Sequence, residues 1–390
     1  MFLDFSIFTP TYISLTWALI LVLSSRGNRT RIFLGIFMLA VAMVFLSHVV
    51  YFHRLKDIYL YFDLLFVFGS LSIFPTYYWY IKLLTVKSQF DYRELKHLIP
   101  AFFMLICVSI TYLLMPDELR KPYVYNYLYG IGKMSNAPLL IKVQVVFTYV
   151  LQILYFLQIV FSYIKIRKYM AEYNHKISNF YSNLENKTLE WPKIILYSFS
   201  VSSVFTIITN FLGRSYFDKS PAILFVTCIT YGAFIFVLGY LGYLQNHTVK
   251  DLELDAEVEP TTQIETPTNK KTKRELQNLF EKDQVFKNSE LKIIDIAFHL
   301  NTNRTYISNF INQEYGCSFS TLVNQYRIEA SKALLRCPKN KNFSLEHISS
   351  EVGFGSLHSF IRVFKEMEDT TPGKYREEAI CNENELYSAG

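Results

Sequence analysis

The sequence predicts an all-α protein in two parts: a seven-helix transmembrane bundle, then a cytoplasmic domain containing two helix-turn-helix units. Three observations predict it. Nearly all the long apolar runs lie in residues 1–245. An acidic stretch bearing Pro260, Pro267 and several threonines, residues 246–270, then interrupts the pattern. Beyond it, over 271–380, short apolar stripes at helical spacing recur in two similar pairs, and 381–390 form a tail.

A bilayer core needs about 20 mostly apolar residues per helix. Seven runs meet this requirement, at about 5–25, 32–51, 58–81, 98–115, 139–164, 191–211 and 222–244. Thr9, Pro10 and Thr11 interrupt the first, and Pro75 is expected to kink the third. The N-terminus, "MFLDFSIFTPTYISLTWALILVLSS", has no basic n-region and no small-residue cleavage site, so it reads as an uncleaved span. Loops one, three and five hold 12 Lys and Arg, against 7 in loops two, four and six. The positive-inside bias therefore puts the N-terminus outside, and an odd number of spans delivers the C-terminal part to the cytoplasm.

Ionisable and strongly polar groups inside spans are costly and are candidates for function. His48, Asp63, Lys142, Gln144 and Asn210 lie on four spans, all toward the outer side in this orientation. They form a candidate ligand or sensor set. The competing reading is that they sit near helix ends and touch headgroups, with Lys142 snorkelling to water. In outer loop four, Tyr123, Tyr125, Tyr127 and Tyr129 alternate, which in an extended strand puts four phenols on one face. That face is either a lid over a ligand or a set of interfacial aromatics.

Other chemistries are not supported. There is no HExxH motif, the seventh span has no lysine for a Schiff base, and paired Gly/Pro-broken spans of the transporter kind are not evident. The five cysteines make no CxxC and no zinc spacing. No catalytic residue, metal ligand or cofactor is expected, and the chain is not read as an enzyme.

The soluble part carries 17 Lys and Arg against 14 Asp and Glu between Lys270 and Glu378, a net +3. A first helix places Leu276, Leu279 and Phe280 on one stripe. Leu291, Ile294, Ala297 and Leu300 then stripe a short helix, Asn301–Asn303 turn, and Asn303 is expected to cap a second helix with Ile307, Phe310 and Ile311 inward. Its outer face carries Arg304, Thr305, Tyr306, Ser308 and Asn309, which can reach base edges and phosphates. A long helix over about 320–336 follows, with Leu322, Val323, Tyr326, Ala330, Ala333 and Leu334 apolar. The pattern then repeats: Leu345, Ile348 and Val352 after Ser344, a turn at Gly353 and Phe354, then a helix opened by Ser356 with Phe360, Val363 and Phe364 inward. Ser356, His358, Ser359 and Arg362 point outward, and Arg362 and Lys365 read as phosphate contacts. Pro372 fits the first turn of a last helix holding Tyr375 and Arg376.

Two such units separated by one helix, with "YRIEASKALL" between them and "ISSEVGFGSLHSFIRVFKEMEDTTPGKYR" at the end, resemble the DNA-binding domain of the AraC/XylS family of bacterial regulators. The resemblance covers a little over a quarter of the chain. It implies seven helices and two recognition helices entering successive major grooves of double-stranded DNA, with much of the base readout on the first. Phe310-Ile311-Asn312 departs from the family's Leu-Phe-Lys/Arg and drops one basic phosphate contact. Gly355 and Leu357 make the second recognition helix slimmer and more apolar.

The expected function is a one-component transcription regulator in the bacterial cytoplasmic membrane. It would pair as a homodimer in the lipid bilayer and respond to a signal at the outer face. The alternative is a transporter or receptor-like protein whose DNA-binding domain only regulates its own expression.

Overall fold

The computed structural model describes residues 2–86, 89–128, 137–185, 187, 220–245, 252 and 269–378. Among these the protein is helical, with one isolated antiparallel bridge between Tyr181 and Lys292. By packing they fall into two units, one drawn from Met1–Ala171 and Leu189–Lys250, the other from Glu172–Thr188 and Asp251–Gly390.

The first unit contains α1 (Phe2–Leu23), α2 (Arg29–Phe52), α3 (Tyr59–Thr85), α4 (Ile99–Leu114), the short α5 (Asp117–Pro122), most of α6 (Leu139–Phe180) and α7 (Pro221–Leu244). Six of the seven expected spans are thus present as helices long and apolar enough to cross a membrane; the sixth, about 191–211, lies outside the described residues. Helix α2 lies between α1 and α3, α7 packs on α1, and α4 packs on α3. Small residues permit the close approaches: a Cβ on Gly239 would overlap the Trp17 indole, so α1 and α7 meet nearly backbone to side chain. Asn28 caps α2 by accepting from the Thr30 N–H at 3.0 Å. Pro10 lies inside a continuous α1, although the sequence reads as interrupted there.

Two expectations for this unit need correction. Helix α6 does not stop near residue 164 but runs to Phe180. The lysines and arginines after Ile164 end the apolar run, yet no Gly or Pro breaks the helix before Phe180. The backbone of outer loop four is not extended over Tyr123–Leu128 either. It forms a π-helical turn there. Tyr129 lies outside the described residues.

The second unit holds α8 (Asn269–Glu281), α9 (Ile293–His299), α10 (Arg304–Tyr315), α11 (Phe319–Arg336), α12 (Leu345–Glu351), α13 (Leu357–Glu368) and a last helix, α14, over 372–378. The seven helices implied by the family resemblance are all present. Each expected cap forms: Asn303 accepts from the Tyr306 N–H at 2.8 Å, Ser344 from His347 at 3.0 Å and Ser356 from Ser359 at 3.2 Å. Gly353, at φ +89°, takes the left-handed turn before Phe354, a conformation strained for any residue with a side chain.

The apolar stripe of α9 differs from the expected one. Ile293, Ile296 and Ala297 are buried, whereas Ile294 and Leu300 are half-buried. A strict three-residue spacing drifts about 60° around a 3.6-residue helix at each step, while i, i+3, i+4 holds one face. On α11, Ala333 is exposed, and the stripe instead includes Arg327, Ser331 and Leu335. Ile328, Leu335, Ile348, Val352, Phe354, Phe360, Val363 and Phe364 form the core of the second helix-turn-helix unit, closed by Tyr375.

Arg327 is 1% exposed. Its Nε donates to the Phe286 carbonyl at 2.8 Å and its Nη2 to the Asn288 carbonyl at 2.8 Å. The guanidinium also lies 5.6 Å from the Phe354 ring centre. Arg327→Met is expected to strand both carbonyls and lower the stability of this unit by about 3 kcal/mol or more, read by pulse proteolysis of the full chain. Phe298→Ala, at a side chain that is 75% exposed, should change it by no more than about 0.5 kcal/mol.

Candidate nucleic-acid interface and buried polar pocket

Local sequence sets the presentation of the two helices that matter. Helices α10 and α13 each start at a capped residue that follows a tight turn, after a short helix whose buried face fixes the entry angle. Between them, α11 supplies 18 residues of helix, about 27 Å at 1.5 Å per residue.

The ten residues expected to meet DNA all fall on these two helices or their caps. Thr305, Asn309, His358, Arg362 and Lys365 are exposed; Arg304, Tyr306, Ser308, Ser356 and Ser359 are half-buried. Several are already engaged. The Tyr306 phenol bonds to Asn269 at 3.2 Å and to the Thr272 hydroxyl at 3.0 Å, and its ring stacks on Phe310. These contacts tie α10 to α8. Arg362 pairs with Glu366 one turn on, at 3.1 Å. The Arg304 guanidinium lies 5.5 Å from the centre of the Phe180 ring, and the Ser356 hydroxyl donates to Glu185 at 2.7 Å.

The candidate sensor residues divide. Asp63 and Gln144 come together through a residue the sequence reading missed. Tyr112 donates to Asp63 Oδ2 at 2.7 Å, Tyr59 donates to Asp63 Oδ1 at 3.0 Å, and the Gln144 amide donates to the Tyr112 oxygen at 3.0 Å. Gln144 is 2% exposed, and its Oε1 has no hydrogen-bond partner. Both residues line a cavity of about 260 Å³, walled also by Phe66, Tyr123, Tyr127 and Phe147. His48 packs among Phe45, Phe52 and Phe66. Lys142 is exposed, and Asn210 lies outside the described residues. Among the described residues no cluster of His, Cys, Asp and Glu has the makings of a metal site.

Arg327 was also missed, although its spacing carried a signal. It stands four residues after Val323 and four before Ser331, on the apolar stripe itself. Burial lowers its guanidinium to about 10, so it stays charged at neutral pH. Tyr59 and Tyr112 carried no such signal. Tyrosines are common in these spans, and only the packing of α3 against α4 selects these two.

Known proteins resemble the C-terminal part of the chain. A sequence family described as a helix-turn-helix domain matches residues 296–378. The chain is 28% identical over 136 residues to the regulatory protein PocR of Salmonella typhimurium, covering 35% of this chain and 42% of that one. It is 32% identical over 95 residues to "Probable transcription factor PqrA" of Proteus vulgaris, covering 24% of this chain and 75% of that one. The C-terminal domain of the two-component response regulator yesN from Fusobacterium nucleatum matches with 25% identity and a TM-score of 0.25, over 27% of this chain and 98% of that one. The chain spans between 11% and 42% of the length of four of the curated relatives it matches. Through the C-terminal domain, the chain belongs to the AraC family of transcriptional regulators.

Proposed function

We propose that this protein is a one-component transcription regulator embedded in the bacterial cytoplasmic membrane, with its C-terminal domain reading DNA in the cytoplasm. One observation carries the reading. A single chain combines six helices long and apolar enough to cross a bilayer with two capped recognition-type helices in an AraC-family domain. The outward faces of the apolar helices support it. Phe103, Leu113, Ile153 and Ile164 are exposed large side chains that lipid would cover. The relatives are named as regulators, and the reading assigns no catalytic step to this chain.

In this reading α10 and α13 enter successive major grooves, with Asn309 and Arg304 at base edges and Arg362 and Lys365 at phosphates. Dimerisation in the membrane raises the effective concentration of a second domain at a paired half-site. The signal acts at the pocket lined by Asp63 and Gln144, on the outer side in the positive-inside orientation. A carboxylate held by two phenols and an amide oxygen lacking a donor suit a small ligand that presents hydrogen-bond donors, such as an amine or hydroxyl group, against aromatic walls.

Mapping the DNA bound by the intact chain supplies the operator for two tests. Asn309→Ala is expected to weaken operator binding by about 1–3 kcal/mol, about fivefold to 150-fold in Kd, and to relax choice at one base pair. Lys365→Ala should instead weaken all sequences alike and reduce the salt slope by about 1. Anisotropy titrations of nanodisc-embedded protein read both, and an unchanged base preference in Asn309→Ala sinks that assignment. Gln144→Leu, at unchanged membrane abundance, is expected to abolish condition-dependent changes in the transcripts the protein controls. A Gln144→Leu strain whose transcripts follow the parent across conditions overturns the pocket assignment.

A further inference from the structure

Residues 172–188, which the charge pattern marks only as part of a basic loop, pack with the DNA-reading domain. Ser182 is bound through all three of its polar groups. Its N–H donates to the Leu291 carbonyl at 3.1 Å, its carbonyl accepts from the Ser320 hydroxyl at 3.1 Å, and its hydroxyl accepts from Arg327 at 3.2 Å. Tyr181 is 3% exposed and bridges to Lys292, with the Lys187 and Lys292 ammonium groups 5.1 and 5.8 Å from its ring centre. Phe180, 2% exposed, lies under the Arg304 guanidinium.

The segment also meets the second recognition helix. Asn183 abuts Gly355 so closely that a Cβ there would overlap its amide, so the slimness of this helix start has a use. Glu185 accepts from Ser356, the N-cap of α13. A helix N-terminus with a capping hydroxyl favours an anion. In a DNA complex that anion would be a phosphate; here it is the Glu185 carboxylate.

We propose that residues 172–188 are an intramolecular competitor of DNA. The segment occupies Arg304 and Ser356, one at the start of each recognition helix, and Glu185 takes the place of a backbone phosphate. This rests on the DNA-binding reading given above. DNA binding then requires the segment to leave, so the observed affinity is reduced by the fraction of molecules in which it is undocked.

The test uses the full chain in nanodiscs and its mapped operator. Phe180→Ala with Glu185→Ala is expected to bind about tenfold more tightly than the parent, as a docked population of about nine in ten is released. Asn183→Cys with Gly355→Cys is expected to cross-link on oxidation, lose operator binding, and regain it on reduction, with the parent chain as control for its own cysteines. Equal Kd for the parent, the alanine pair and the oxidised cysteine pair overturns the proposal, as does a cysteine pair that never cross-links. A parent and a reduced pair that bind no DNA at all overturn the DNA-binding reading itself.

Discussion

The second unit is organised around one buried guanidinium. Arg327 lies on the central helix that separates the two helix-turn-helix units. It holds the carbonyls of Phe286 and Asn288 and faces Phe354 of the second unit. Placing a charge where burial opposes it is costly unless its donors are satisfied. Here Nε and Nη2 are satisfied by oxygens from a loop far away in sequence, which fixes that loop against α11. The spacing of α10 from α13 follows from α11 and from this anchor.

The apolar helices solve a different problem. Their outward faces carry exposed Phe, Leu and Ile, while the Asp63 carboxylate is sunk among tyrosines. In a low-dielectric interior such a group is tolerated only with donors in place, and Tyr59 and Tyr112 provide them. Gln144 completes the chain of bonds but leaves its own oxygen unmatched.

Much of this was legible in the sequence, for reasons that are local. Apolar run length revealed six of the helices, and Asn303, Ser344 and Ser356 announced their helices because a cap acts within three residues. What escaped depends on long-range packing. A three-residue spacing misjudged the buried face of α9, since a helix does not repeat at three. The end of α6 was misplaced because loss of hydropathy was taken as loss of helix. Arg327 was passed over because a charged residue on an apolar stripe is normally a solvated one. The pairing of Asp63 with Tyr112, and of Glu185 with Ser356, joins residues 49 and 171 positions apart, with no periodicity to expose it.

In the proposed function one polypeptide holds both lipid and DNA, and that union is open to direct measurement. Cross-linking in living cells, followed by membrane fractionation and sequencing of the DNA that travels with the intact chain, measures it directly. Under the proposed function a defined set of operators is recovered in the membrane fraction with the 390-residue chain. Recovery of those operators only with a soluble fragment lacking the apolar helices would contradict it.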